Sequence, residues 1–324
     1  MKILSAAFLI TLCLTAFLAH AAHVQKIRFC RFPSPGVDVA YIAEDKGYFK
    51  DEGLDVVTQT VTNGKICQDA LLAGQADFSI IGDGPLAYLG FSEQPLRFLA
   101  QVGINPETSL FTRKDRGIAD AKDIKGKAIG YLPGTASYIY LAHLLDKAKL
   151  GIADIKPVPL QPPAMPQALV GGLIDAFVFW EPWGNMAMVQ LGDNGVRLHY
   201  PSLYNVSAVL VAPDSVIKAD PEEVKKVLKV FMRAEEFLKK NPAEARKLLS
   251  RDLNLDERVL QQDWAEFDFT IKLNAGLVDI LTQDARYIRR DDPNFKDKPL
   301  PDFRKYIDAR FLKAVAPERV EKGM

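Results

Sequence analysis

The octet Ala70-Leu-Leu-Ala-Gly-Gln-Ala-Asp77 returns later in the chain as Ala168-Leu-Val-Gly-Gly-Leu-Ile-Asp175. Each copy closes a short helical pattern with Gly. It then passes through Asp into an apolar strand, Phe78-Ser-Ile-Ile81 first and Ala176-Phe-Val-Phe-Trp180 second. The surroundings repeat as well. In the first pass Lys26 to Arg31 reads as a strand, Phe32 to Gly36 as a Pro/Gly loop, and Val39 to Glu44 as a helix stopped at Gly47. Leu54 to Thr60 is a second strand, Asn63-Gly64 a turn, and Ile66 to Ala73 a helix closed by Gly74. In the second pass Lys127 to Tyr131 is a strand, Leu132 to Ala136 a loop, Ser137 to Leu150 a helix, and Ile155 to Leu160 a strand. Strands separated by helices predict βαβ units and a parallel sheet, here made twice in two similar α/β lobes. From Asp220 the pattern turns helical, with Asp220-Pro221 and Asn241-Pro242 as helix starts, and predicts a C-terminal helical layer.

Met1-Lys2 opens the chain, and no charge follows from Ile3 to Gln25. An apolar run from Ile3 to Ala19 leads into Ala19-His20-Ala21, a small-x-small cleavage pattern. A short basic start, an apolar core and that ending predict a signal peptide over 1–21, cut near Ala22, and an exported, periplasmic protein. Ser5, Thr11 and Thr15 dilute the run and weaken the competing reading of an uncleaved anchor. Cys13 lacks the small residues that precede a lipidated Cys, so no lipid anchor is expected. Cys30 and Cys67 remain after cleavage. In an oxidising compartment they either pair or are buried separately as small apolar residues.

Several function classes fall away on composition. Forty-one basic residues face 41 acidic ones without a long basic run, so there is no electrostatic footprint for nucleic acid. Three Cys and four His match no zinc template, and no metal or cofactor is expected. Gly82-x-Gly84-x-x-Ala87 imitates a dinucleotide fingerprint, but it follows the third strand of its lobe and lacks a downstream ribose-binding acid. No Gly-x-Ser-x-Gly or Cys/His arrangement accompanies His143 or His199, so no catalytic residue is assigned.

Further motifs stand in a fixed order: Ala43-Glu-Asp-Lys-Gly-Tyr-Phe-Lys-Asp-Glu-Gly-Leu54, Ala70 to Asp77, Asp123-Ile-Lys-Gly-Lys127, Pro133-Gly-Thr135 and Asp175-Ala-Phe-Val-Phe-Trp-Glu-Pro-Trp183. Jointly, from about Ile27 to Ser250, they resemble the substrate-binding proteins of ABC importers in the nitrate/sulfonate/taurine family. The resemblance implies a bilobal, periplasmic-binding-protein-like α/β fold of type II. Its two lobes hold mixed, mainly parallel sheets and are joined by two crossing strands. Crossings are expected near Leu110 to Arg113 and Asn205 to Val211, giving lobe 1 as 22–111 with 207–324 and lobe 2 as 112–206. It also implies a monomeric, non-enzymatic receptor that binds a small organic anion, a sulfonate foremost, between the lobes. Delivery would be to an inner-membrane ABC permease and its ATPase. A heteroaromatic vitamin precursor of pyrimidine or flavin type is the alternative ligand, and an exported enzyme or a sensor module the alternative roles. A related thiamine-precursor enzyme class uses a Cys-rich motif, which Cys30 and Cys67 do not reproduce.

In open parallel sheets, ligands bind beyond the C-terminal strand ends, where helix N-termini direct free N–H groups outward. That rule selects Phe32, Pro33 and Ser34 after the first strand, Asn63, Gly64 and Lys65 after the second, and Gly82 and Asp83 after the third. In the second lobe it selects Gly134, Thr135, Ala136 and Ser137, then Glu181 and Trp183. Asn205 joins them at the return crossing, where the sequon Asn205-Val206-Ser207 is discounted for a bacterial chain. Plain turn chemistry is the competing account of each loop. Gly134 to Ser137 is the best anion seat, because Gly allows close approach and a helix start favours an oxyanion. Of the neighbouring Trp residues, Trp183 is assigned to the cleft and Trp180 to core packing. Glu181 and Asp83 either accept a ligand hydrogen bond or brace their loops.

Overall fold

The computed structural model describes residues 25 to 324; the expected signal peptide lies outside the described residues. Ten strands form two sheets. They are β1 (Gln25–Arg31), β2 (Leu54–Thr60), β3 (Phe78–Gly82), β4 (Leu96–Asn105), β5 (Thr108–Arg113), β6 (Ala128–Tyr131), β7 (Lys156–Pro159), β8 (Ala176–Trp180), β9 (Gly195–Leu198) and β10 (Val206–Pro213). The first sheet has the order β2-β1-β3-β10-β4 and the second β7-β6-β8-β5-β9. In each, the first three strands run parallel and the last two antiparallel to their neighbours. The fourth place in each sheet is taken by the strand that has just arrived from the other lobe. β5 arrives outward and β10 on the return.

The repeated octet accounts for this likeness. Helix α2 (Gly64–Leu72), which follows α1 (Asp38–Asp45), ends at Gly74, whose φ of +68° few side chains adopt. Gln75 N then donates to Ala70 O and Gly74 N to Leu71 O, the double bond of a helix stop. In the second lobe Gly172 (φ +78°) ends α5 (Met165–Val170), and Leu173 N and Gly172 N donate to Ala168 O and Leu169 O. The Asp that follows locks the next strand in register. Asp77 accepts from Arg28 N and Asp175 from Ala128 N, at 2.7 and 2.8 Å.

The remaining helices introduced here are α3 (Asp83–Leu89), α4 (Ala136–Ala148), α6 (Trp183–Leu191), α7 (Pro221–Lys240), α8 (Pro242–Leu253), α9 (Ala275–Asp291) and α10 (Arg310–Val315). The expected start of α7 is realised: Asp220 accepts from Glu222 N and Glu223 N, and Pro221 occupies the first turn. Its buried stripe, Val224, Val227, Leu228, Phe231, Ala234 and Leu238, has helical spacing and lies on the first lobe. There Phe231 meets Phe29 and Phe49 edge-on at 5.8 and 5.7 Å. The chain leaves the first sheet after Asn105, enters the second at Thr108, and returns between Leu198 and Val206. β5 thus lies wholly in the second sheet, and the outward crossing falls at 106–107, upstream of Leu110.

Cys30 on β1 and Cys67 on α2 form a disulfide with a Cα–Cα distance of 5.4 Å. Both are fully buried, so the bridge fastens α2 to the face of its sheet. It closes a loop spanning a sequence separation of 37. In the chain-entropy account such a loop is worth about 3–4 kcal/mol, less whatever the thiols recover as packed groups. The Cys30→Ser, Cys67→Ser double variant is therefore expected to lose about 2–4 kcal/mol of unfolding free energy in a urea titration, with its far-ultraviolet spectrum retained.

Candidate functional site

The strand ends of both sheets face one seam. After β1, Ser34 caps the short 3-10 turn Pro35–Val37: its Oγ accepts from Gly36 N at 3.0 Å. After β3, Asp83 opens α3 and accepts from Gly84 N at 2.8 Å. Across the seam, Gly134 (φ +77°) turns the chain into α4, where Thr135 is the N-cap. The Thr135 hydroxyl donates to Leu132 O and accepts from Ser137 N, while Ser137 Oγ donates to Val178 O. Thr135 N and Ala136 N have no partner among the described hydrogen bonds. As at other helix starts, these first N–H groups lie outside the helix's own hydrogen-bond ladder.

The lobes touch at this point. A Cβ on Gly84 would lie 2.4 Å from Ala136 N, so only glycine permits the approach. Beside it the Trp180 indole donates to Pro33 O at 3.2 Å, and its ring meets Phe32 at 6.1 Å. Tyr88 on α3 meets Tyr138 on α4 edge-on at 6.3 Å. Helix α9 bridges both lobes. It lies on α3 and reaches α4 through Tyr138 Oη to Asp291 (3.0 Å) and Arg290 to Asp146 (2.8 Å).

Three buried carboxyls lie near the strand ends and crossings. Glu107, on the outward crossing, accepts on Oε2 from Ser34 Oγ at 2.5 Å and from Gly36 N at 2.8 Å. Asp83 accepts from Ser207 N at 2.8 Å and from the Tyr204 hydroxyl, both on the return crossing. Glu181 accepts from Asn185 N at 2.6 Å and so caps α6. Burial raises Glu107 and Glu181 to about 7 and Asp83 to about 6. Donated hydrogen bonds from Ser34, Asn185 and Tyr204 hold those values down against a larger desolvation cost. Asp38 and Asp284 are pushed well above the usual carboxylate range, by burial first and by the neighbouring Glu107 and Asp83 second. His143, stacked on Tyr204 at 5.4 Å, is driven down to about 4 by burial.

The residues selected from the sequence divide accordingly. Phe32, Pro33, Ser34, Asp83 and Gly134 to Ser137 stand at the seam, with Gly82 directly before Asp83. Asn63 is buried as the cap of α2, accepting from Lys65 N and Ile66 N, and Gly64 lies under the Phe32 ring. Lys65 sends its ammonium to Asp69 one turn along its own helix, at 2.6 Å. Glu181 braces its loop, Trp183 is half-buried with an unpartnered indole N–H, and Asn205 is exposed beside Tyr204. Trp180, assigned to packing, is buried and also supplies the hydrogen bond across the seam. Sequence reasoning does not select Asp38, Glu107 or Tyr204. Only their nearness to the start of α1 and to the two crossings could have pointed to them.

The description NMT1/THI5 like matches residues 35–245, more than half of the chain, including both crossings. The chain belongs to the NMT1/THI5-like family. Among its relatives, a Bacillus subtilis (strain 168) protein named as an aliphatic sulfonates-binding protein is 28% identical over 298 residues, covering 87% of this chain and 86% of its own. A Brucella abortus (strain 2308) protein named as a binding protein is 29% identical over 234 residues, covering 70% of this chain and 71% of its own. Among solved structures, the alkanesulfonate-binding protein SsuA from Xanthomonas axonopodis pv. citri, bound to MOPS, superposes with a TM-score of 0.75 at 18% identity. That match covers 89% of this chain and all of the other (100%) and shows the fold. The desulfurization enzyme DSZB shares the fold too, with a TM-score of 0.65 at 14% identity over 91% of this chain and 99% of its own.

Two outcomes follow from this geometry. Gly84→Ala should keep the lobes apart, so small-angle scattering should give a larger radius of gyration than wild type at unchanged helix content. An unchanged radius would mean that the contact at Ala136 is not a closure contact. The second concerns pH. Glu107 and Glu181 take up protons in the folded state near 7, but near 4.5 when unfolded, so their stabilising protons are lost as pH rises through 7. His143 acts in the opposite sense, and only below about 6.5, where its unfolded form gains a proton. Asp38 and Asp284, raised by burial, act in the same sense, so urea midpoints should fall between pH 6.5 and 8, and Glu107→Gln should reduce the fall.

Proposed function

We propose that this protein is a periplasmic solute receptor that closes its two lobes on a small organic anion, sulfonate-like, and presents it to an ABC importer permease. The observation that carries the reading is the seam itself. Loops from both sheets converge there, and Gly84 of one lobe rests against the unpartnered N–H groups at the start of α4 in the other. A single oxyanion at those groups would be held by helix-end partial charge without a salt bridge. The relative named as an aliphatic sulfonates-binding protein and the SsuA structure bound to MOPS favour a sulfonate as that oxyanion. Closure is then a population shift, since only the closed form gives the ligand contacts from both lobes. The lobe limits that go with this reading are the crossings at 106–107 and between Leu198 and Val206.

Export through a cleaved signal peptide belongs to the same proposal and accords with the buried disulfide, which an oxidising compartment maintains. Among the described residues no helix is long and apolar enough to cross a membrane. A second reading, an enzyme on this fold, draws on the DSZB likeness and on carboxyls titrating near 7. Among the described residues it lacks a thiol nucleophile, because Cys30 and Cys67 are both in the bridge and fully buried.

Ethanesulfonate, propanesulfonate and MOPS are the first probes. At least one should raise the melting temperature and lower the radius of gyration without being consumed. Thr135→Ala removes the hydroxyl that holds the Gly134 turn, and calorimetry should register a loss of about 1 kcal/mol in affinity for that anion. Chemical conversion of the probe would favour the enzyme, and indifference to every anion would end the receptor proposal.

A further inference from the structure

His143 stands on α4 of the second lobe, and its ring meets two tyrosine rings that the first lobe holds. Tyr204, on the return crossing, stacks on it at 5.4 Å. The Tyr204 hydroxyl donates to Asp83, which ties this ring to the first lobe. Tyr287, on α9, meets the imidazole at 4.4 Å, and its hydroxyl lies 3.4 Å from Nδ1. Helix α9 in turn lies on α3 of the first lobe. The surroundings of His143 are thus made by both lobes and exist only while the lobes are together. They are aromatic, and burial lowers the imidazole to about 4.

The charged groups near the ring give it no free counterion. Asp146, three residues along α4, and Arg290, on α9, act on it in opposite directions and are paired with each other at 2.8 Å. Asp291 accepts from Tyr138 and Arg290, and Lys147 lies over the Tyr200 ring. Asp284, on the buried side of α9, and Asp83 are themselves raised by burial.

We propose that His143 is an acid-sensitive latch between the lobes, whose protonation shifts the protein from the closed to the open form. The inference rests on the closure invoked in the receptor reading and extends it to regulation by pH. With the lobes together the ring is kept neutral. With the lobes apart it meets water and gains a proton in the usual histidine range. A group that is lowered only in the closed form disfavours that form as pH falls from about 6.5 towards 4. Neutral pH then favours retention of a ligand, and acid its release.

A fluorescent donor on one lobe and an acceptor on the other report closure without any ligand, so the outcome does not depend on the sulfonate probes. Between pH 7.5 and 5 the open-to-closed ratio of the wild type should rise about tenfold or more. His143→Phe keeps a ring against the tyrosines and cannot titrate, and His143→Gln keeps polarity; both should lose most of that rise. A ratio indifferent to pH, or one that rises equally in both variants, would overturn the latch. Lobes already apart at pH 7.5 would overturn the latch together with the closure it rests on. Lobes that part in acid while no anion binds would leave the latch standing and end the receptor reading. Should neither variant fold, nuclear magnetic resonance of the wild-type imidazole decides: proton uptake near 6.5 in the closed protein would overturn the proposal, and uptake well below it would support it.

Discussion

Two buried carboxyls fasten the crossings of this fold to the helix starts of its first lobe. Glu107 ties the outward crossing to Ser34 and Gly36, and Asp83 ties the return crossing through Ser207 N and the Tyr204 hydroxyl. Each is almost wholly desolvated, which is costly unless donors are supplied, and the donors come from elements distant in sequence. Asp83, which makes the second tie, directly precedes Gly84, where the lobes meet at Ala136. Glycine at 36 is part of the same arrangement, since a Cβ there would lie 2.6 Å from Glu107 Oε2.

The contacts that close the seam are of a different kind. Arg290 and Asp146 are each nearly half exposed, so their pair is worth about 0–1 kcal/mol in water and salt. The indole bond from Trp180 to Pro33 and the Tyr138 bond to Asp291 add directional contacts of modest net value. None of these rivals a lobe core built from residues such as Ile129, Phe177 and Phe179, all fully buried. Strong lobe cores and firm crossings thus contrast with a seam held by few and modest contacts.

What the sequence disclosed follows the range of the interaction. The octets read correctly because a helix stop at Gly74 or Gly172 and a strand lock by Asp77 or Asp175 are settled within a few residues and one neighbouring strand. The caps at Asn63, Thr135 and Asp220 are local in the same way. Lys65 misleads, since the nearest acid lies one turn along its own helix and captures its ammonium. Glu107 and Asp38 have no local signature: neither the spacing nor the composition around them differs from an ordinary loop acid and a first-turn Asp. Their meeting depends on the crossing between Asn105 and Thr108, which brings together groups far apart in sequence. Asp291 and Tyr138 meet for reasons equally remote, through a C-terminal helix whose docking site no periodicity specifies.

The electrostatic layout of the seam also sets how it chooses. On the second-lobe side a helix start offers N–H groups and a positive partial charge. On the first-lobe side the equivalent helix starts are already neutralised: Glu107 covers the turn at Ser34, Asp83 covers α3, and the Asn63 amide oxygen covers α2. The buried acids make this part of the seam costly to leave without donors, which sets it apart from the apolar lobe cores on either side.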